Sequence, residues 1–225
     1  MKRTHTMLSL IPLLFGGGLI AQAPLQWRTL PQQVQPRAAA WDSARQTSVL
    51  VTYDAGLRQF AWDGQLQRER QHALDGVDNV FYLADDPRHG ELVALRINPP
   101  EVGRFDGARW TWTSSPISPG LSSPLLAAFD EQRSRLVVLQ NSATGTNVIE
   151  WDGSSWWATT AVPGGPPPRF DAAFAYEPQG QRCVLYGGGP GGTALDDCWS
   201  WDGSSWAPLA AHAAPGARTG ASLAA

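Results

Sequence analysis

An aromatic residue followed by Asp and Gly recurs four times in this 225-residue chain, as Trp62-Asp63-Gly64, Phe105-Asp106-Gly107, Trp151-Asp152-Gly153 and Trp201-Asp202-Gly203. The Asp positions lie 43, 46 and 50 residues apart. A period of this length marks a repeat architecture, in which each unit buries its apolar surface only against its neighbours. In three copies a Trp stands four residues after the Asp, at Trp110, Trp156 and Trp206, with Gln67 in the first. A second series runs upstream with the same period: Ala40-Trp41-Asp42, Leu83-Ala84-Asp85, Ala128-Phe129-Asp130 and Ala175-Tyr176-Glu177. Arg45, Arg88 and Arg133 follow the first three acids by three residues. Apolar runs come next, at Val49 to Val51, Leu92 to Leu95, Leu136 to Leu139 and Cys183 to Tyr186.

Each period therefore supplies four short strands: a, ending at the acid; b, in the apolar run; c, ending at aromatic-Asp-Gly; and d, opening near the following Trp. Strand b is apolar at nearly every position, as befits a strand covered on both faces. The Asp-Gly step favours a tight reversal, because Gly accepts positive φ and the Asp side chain bonds nearby N–H groups. The 11 Trp, 23 Gly and 18 Pro, with only 16% charged residues, suit many short strands and tight turns. The expected fold is an all-β propeller of four-stranded antiparallel blades at about 36–70, 78–113, 123–158 and 168–208. The Asp42/Arg45, Asp85/Arg88 and Asp130/Arg133 pairs are expected as surface ion pairs in the a–b turns, worth about 0–1 kcal/mol each.

Both ends of the repeat array are incomplete in phase. Leu25 to Pro31 leads to Pro36-Arg37 as Trp206 to Leu209 leads to Ala217-Arg218, so the segment around Trp27 reads as a lone strand d. Arg218 to Ala225 reads as the first strand of a fifth blade. Four full blades with one strand at either end predict an open arc, the N-terminal part of a larger propeller or a truncated one. Its terminal blades would expose apolar faces suited to self-association.

Residues 1–23 read as a secretory signal, with basic Lys2 and Arg3, an apolar run from Met7 to Ile20 and the small-residue step Ala21-Gln22-Ala23. That run, broken by Pro12 and three glycines, is shorter than the roughly 20 residues that span a bilayer. The expectation is a secreted, periplasmic or cell-envelope protein made of residues 24–225, with no membrane span after cleavage. That segment holds 15 Arg, no Lys and 20 Asp and Glu, a net charge of −5. Its Arg residues are scattered, which argues against nucleic acid as a partner.

The pattern R-x-x-A…A-[FYW]-[DE]-x-x-R-x-x-V-L…G-G…D-x-W-x-W-D-G-x-x-W resembles bacterial kelch repeats of galactose-oxidase-like propellers. The fourth repeat carries it most fully, with Arg169, Ala172, Tyr176, Glu177, Val184, Leu185, Tyr186, Gly187, Gly188, Asp197, Trp199, Trp201, Asp202, Gly203 and Trp206. The first three repeats lack the paired Gly after strand b and have Tyr53-Asp54, Arg96-Ile97 and Gln140-Asn141. Regular blades with no convergent acid, base, nucleophile or metal set give the expectation of a non-enzymatic binding or scaffold propeller that recognises a protein or carbohydrate. The alternative, which the resemblance implies, is part of a kelch-type sugar-acting enzyme, an oxidase or epimerase. A copper oxidase of that type needs two His, two Tyr and a Cys linked to one Tyr; His72, His89 and His212 fall in different repeats and form no such set.

Strand alternation places the b–c and d–a loops at one end of the blades and the short a–b and c–d turns at the other. Function is expected on the variable loops: Asn98 to Gly103, Ser115 to Pro124, Asn141 to Asn147, Val162 to Arg169 and Gly187 to Leu195. The candidate ligand contacts are Arg169 and Trp157, the latter either a stacking surface for a sugar or an interblade packing residue. Cys183 and Cys198 sit about equally far from a turn centred near Pro190-Gly191, so they read as a cross-strand disulfide or as two small buried apolar residues. The stretch from Gly187 to Gly192 lacks the Gly-Lys-Ser/Thr of a phosphate loop and reads as a hairpin. No catalytic set, metal or cofactor is expected.

Overall fold

A computed structural model of the chain describes residues 36–53, 57–62, 67–70, 80–97, 100–114, 121, 125–143, 145–159, 164–210 and 216–223. The signal segment, the strand expected around Trp27, Asp63-Gly64, His72, His212 and most of Ser115 to Pro124 lie outside these residues. The first blade comprises β1 (Pro36–Asp42), β2 (Thr47–Tyr53), β3 (Leu57–Trp62) and β4 (Gln67–Arg70). The second comprises β5 (Val80–Asp86), β6 (Glu91–Ile97), β7 (Pro100–Phe105) and β8 (Trp110–Ser114). In the third are β9 (Leu125–Asp130), β10 (Arg135–Ser142), β11 (Gly145–Trp151) and β12 (Trp156–Thr159). The fourth is β13 (Ala173–Glu177), β14 (Arg182–Tyr186), β15 (Cys198–Trp201) and β16 (Trp206–Leu209).

Each blade is an antiparallel meander in chain order. The inner strands meet in the series β1, β5, β9, β13, which does not return to β1 among the described residues. The architecture is a β-propeller whose four blades form an open arc. Arg218 to Ala225 is expected to open a fifth blade, but residues 216–223 add no strand among the described residues. They dock on the fourth blade instead: Gly188 N–H donates to Arg218 O at 2.9 Å and Arg218 N–H donates to Leu195 O at 3.1 Å.

In the two middle blades strand b is buried because blades stack on both its faces. One core joins Val49 and Val51 of β2 to Leu92, Ala94 and Phe105 of the second blade. The next joins Val93, Leu95 and Val102 to Phe129, Leu136 and Trp151. The third joins Val137, Leu139 and Val148 to Tyr176, Cys183 and Trp201. In each, a blade offers Ala and Val on its leaving face and receives Phe, Tyr or Trp from the blade that follows. Large rings pack against small side chains at each junction.

The repeated Asp and Gly serve the same junctions. In the c–d turns Asp106, Asp152 and Asp202 each accept from the backbone N–H groups two and three residues on, at 2.8–2.9 Å. The Gly that follows has φ of 98° to 103° in all three turns. A second constraint falls on two of them, because a Cβ on Gly107 or Gly203 would collide with the guanidinium of Arg45 or Arg133 from the preceding blade. Arg45 also donates to Asp106 O and, at 3.2 Å, to Gly90 O in the second blade. The Arg of one a–b turn thus clasps the next blade.

Two expectations about these turns need correction. Asp42, Asp86 and Asp130 are 0%, 0% and 1% exposed, so the pairs are buried rather than superficial. In the second blade the buried acid is Asp86, which occupies the register of Asp42 and Asp130, and not Asp85. Its partner three residues on is His89, at 2.8 Å, with Arg104 of β7 adding a contact at 3.1 Å. Arg88 donates to Gln132 O of the third blade at 2.7 Å. Asp85 takes the position held elsewhere by Trp41, Phe129 and Tyr176, where burial raises its pKa.

The disulfide expectation is also corrected. In the β14–β15 hairpin Cys183 lies opposite Trp201 and Cys198 lies opposite Tyr186. An offset of three positions puts the two thiols on opposite faces of the sheet, because strand side chains alternate. Both cysteines are free, with Cys183 inside the junction of blades three and four.

Candidate functional site

Two of the expected variable loops are tight. Gly145 to Asn147 belong to β11 and Glu101 to Gly103 belong to β7, so the b–c connections of the second and third blades are hairpins with minimal loops. The fourth blade differs, carrying residues 187–197 between β14 and β15. Together with 164–172 from the d–a connection and 216–223, this loop forms the described part of the loop face.

Arg169 organises it. Its guanidinium forks onto Asp197 at 2.6 and 2.8 Å and donates to Gly187 O at 2.9 Å and Pro167 O at 3.2 Å. Its backbone exchanges two bonds with the Asn141 amide of the third blade, at 2.8 and 3.1 Å. Burial works against a charged Asp197, but Arg169 and the indole N–H of Trp199 outweigh it and hold the carboxyl below its ordinary range. Arg169 is 3% exposed, so the residue expected as a ligand contact is placed as the strut of the loop face. Thr146 adds a tie, its hydroxyl donating to Pro166 O at 3.1 Å.

The Gly-rich stretch is packed onto this strut. Gly187, Gly188 and Gly189 donate their N–H groups to Asp197, Arg218 and Phe170 carbonyls, at 2.9–3.1 Å. Those donors are occupied, so the stretch is a folded hairpin loop. Gly188 has φ of 74°, and a Cβ there would strike Phe170 O and Ala172. Gly189 and Phe170 bond reciprocally at 3.0 Å. The next residue, Asp171, has φ of 52°, while its carbonyl accepts from Gly220 N–H at 2.8 Å. The other described non-Gly residues with positive φ, Gln46, Ser134 and Gln181, all sit in a–b turns.

Phe170 projects from this fixed backbone, 45% exposed, where the d–a connection enters inner strand β13. Phe170 and Asp171, both exposed, are consecutive residues of the d–a connection where it enters β13. Phe170 is not among the residues expected from the sequence to contact a ligand. The available signal was its position: it precedes the strand that holds Phe174 and Tyr176.

Trp157 is found at the other end of the blade. It is 60% exposed, one residue into β12 beside the c–d turn, and its Nε1 donates to Asp152 Oδ2 at 3.1 Å. Arg169 and Trp157 are therefore on opposite faces and cannot share a ligand. Among the described residues no three His, Cys, Asp or Glu side chains are grouped to hold a metal ion.

No family model and no curated protein sequence matches the chain. Solved structures that it resembles include YCF48 bound to a D1 peptide, at 14% identity and a TM-score of 0.49 over 81% of this chain and 56% of that one. The extracellular domain of BT4673 from B. thetaiotaomicron aligns at 12% identity and a TM-score of 0.49, over 84% of this chain and 24% of that one. XC5397 from Xanthomonas campestris, a gluconolactonase, aligns at 15% identity and a TM-score of 0.41, over 83% and 78%. The chain thus spans 56% and 24% of the first two structures.

Proposed function

We propose that this chain is an exported, non-enzymatic binding propeller that recognises a protein or carbohydrate through the loop face, with Phe170 as its central contact. The observation that carries the reading is the ring of Phe170, 45% exposed on a backbone pinned by Gly189 and by the Arg169–Asp197 fork. Single exposed apolar residues are ordinary. A rigidly presented one, next in sequence to an exposed Asp, has the form of a recognition site, since the ring offers a stacking surface and an acid accepts hydrogen bonds from hydroxyl or amide donors. Rigidity also lowers the ordering cost of binding. Export rests on Lys2, Arg3, the apolar run and Ala21-Gln22-Ala23.

Titration calorimetry against a panel of soluble polysaccharides and extended peptides tests the reading. Phe170→Ala is expected to weaken binding at least about tenfold, the effect of losing roughly 1.4 kcal/mol. Trp157→Ala leaves binding unchanged. Equal affinity of wild type and Phe170→Ala, or turnover of a bound sugar, overturns the proposal. Sequencing of the exported protein tests the export claim and is expected to place its first residue at 24.

A further inference from the structure

The three described Asp-Gly steps are alike in sequence and unlike in surroundings. An Asp-Gly step is open to one rearrangement in particular, because Gly has no side chain to keep its nitrogen away from the preceding carboxyl group. The reaction asks two things of the Asp. Its carboxyl must take up a proton, so that one oxygen departs as water, and it must be free to turn onto the Gly nitrogen.

The third and fourth blades withhold both conditions. Asp152 Oδ1 accepts from the N–H groups of Ser154 and Ser155 and from the Ser154 hydroxyl at 2.8–2.9 Å, and its Oδ2 accepts from the Trp157 indole at 3.1 Å. Asp202 Oδ1 accepts from the N–H groups of Ser204 and Ser205 and from the Ser204 hydroxyl at 2.8–2.9 Å, and its Oδ2 from the Ser205 hydroxyl at 3.0 Å. Donors on both oxygens favour the anion and fix its orientation. In the second blade Ala108 and Arg109 stand where the others have Ser154-Ser155 and Ser204-Ser205. Asp106 Oδ1 keeps the two backbone donors, at 2.8 Å. Its Oδ2 has Arg109 Nε at 4.0 Å, with the Arg109 and Asp106 side chains 82% and 50% exposed. The main-chain carbonyl of Asp106 accepts from Arg45 of the first blade. A guanidinium there draws electrons from the Asp106–Gly107 amide, which eases deprotonation of the Gly107 nitrogen, and it stabilises negative charge developing on the carbonyl oxygen.

We propose that Asp106 is a site of self-modification, which converts to isoaspartate in the folded protein while Asp152 and Asp202 are protected. The Gly107 nitrogen attacks Cγ of the protonated Asp106 carboxyl. An N–Cγ bond forms, and the amide hydrogen and the carboxyl hydroxyl leave together as water, giving a five-membered imide. Water then adds to the main-chain carbonyl carbon of Asp106, whose oxygen Arg45 holds. The bond from that carbon to the Gly107 nitrogen breaks, and the nitrogen takes up a proton. Gly107 is now joined through Cγ, a carboxylate stands on the α carbon, and the mass is unchanged. That carboxylate forms where Arg45 already donates, so a neutral clasp between the first two blades becomes an ion pair, the stronger kind of bond. The site lies at a c–d turn, away from the loop face, and is independent of the ligand assigned there.

The test holds the full 225-residue chain for weeks at mildly acidic pH, once folded and once in urea. Digestion and electron-transfer fragmentation in the mass spectrometer then count isoaspartate at each step. In the folded protein Asp106 is expected to convert at least about tenfold faster than Asp152 and Asp202, with a species lighter by one water as its intermediate. In urea the three rates converge. Ala108→Ser combined with Arg109→Ser rebuilds the Asp-Gly-Ser-Ser turn of the other blades and is expected to bring Asp106 down to the rate of Asp202. Equal rates at the three steps in the folded protein, a lead for Asp106 that persists in urea, or an undiminished rate in the double-Ser variant overturns the proposal.

Discussion

The indole Nε1 of Trp201 donates to Glu150 Oε1 at 3.0 Å, a buried bond from the fourth blade to the third. The same carboxylate receives both terminal nitrogens of Arg133 at 2.8 and 2.9 Å, and Arg133 also bonds Asp130. One Glu thereby fixes an a–b turn, a strand c and the aromatic of the next blade's Asp-Gly motif. Removing one partner of a buried ionic group costs more than the net worth of the pair, because it leaves the other uncompensated. Glu150→Ala is expected to lower unfolding stability by roughly 3 kcal/mol. Trp201→Phe, which keeps the packing and loses the donor, is expected to cost about 1–2 kcal/mol. Urea unfolding measures both; a Glu150→Ala loss under about 1 kcal/mol would contradict the bridging role.

The second blade makes the same turn with different residues, and this yields a contrast. Asp86 is fully buried and relies on Arg104, which also meets Glu91 at 2.8 Å and lies 5.0 Å over the Trp151 ring. Arg88 reaches one carbonyl from an exposed position. Arg104→Ala is therefore expected to cost about 2–3 kcal/mol and Arg88→Ala under about 0.5 kcal/mol. Comparable losses from the two would show that Asp86 has no need of Arg104.

These turns also show what the sequence discloses. Periodicity and the strand-b runs are local and repeated, so the blades and their order were legible. Asp85 and Asp86 are adjacent acids of equal propensity, and only pairing with Glu91 decides which one faces inward. The position of the b–c reversal decided the cysteine pairing. Gly-rich loops fold asymmetrically, so the midpoint near Pro190 misplaced the register by three residues. No repeat position predicts Phe170, and the motif position of Arg169 does not disclose its pairing with Asp197.

Arg169 gives a prediction about loop order. A planar fork matches a carboxylate in a way that a Lys ammonium does not. Arg169→Lys is expected to behave nearly as Arg169→Ala, releasing residues 187–197 and 216–223 together because Gly188 and Arg218 are bonded through this loop. Hydrogen exchange at Gly188, Leu195 and Arg218 should quicken at least tenfold in both variants while β9–β11 stay protected. Protection retained in Arg169→Lys would mean that the charge alone suffices.

Acid titration separates two groups of carboxylates with opposite effects on stability. Burial opposes the charged form of Asp202, but the N–H groups of Ser205 and Ser204 and both hydroxyls outweigh it and bring its pKa down to about 2. The N–H groups of Ser154 and Ser155 and the Trp157 indole hold Asp152 well below the ordinary range. A folded pKa below the unfolded one means that the stabilisation is full above the unfolded value, near 4, and is lost as pH falls toward 2. Asp85 and Glu131 run the other way. Burial raises both, helped by Asp42 and Asp86 at Asp85 and by Asp85, Asp86 and Asp130 at Glu131. The fold binds their protons more tightly than the unfolded chain does, so their contribution favours folding at low pH and declines as pH rises through their folded values. Urea midpoints followed from pH 7 to pH 2 should therefore pass through a maximum on the mildly acidic side. Asp85→Asn removes the like-charge repulsion and is expected to raise the midpoint at pH 7 while leaving it unchanged near pH 3. Asp202→Asn keeps an acceptor for Ser204 and Ser205 but no titration, so its stability should fall less steeply below pH 4 than that of the wild type. An Asp85→Asn protein less stable than wild type at pH 7 would show that the Asp85 carboxylate, through its 3.3 Å bond from Ser43 N–H, holds the first two blades together in its charged form.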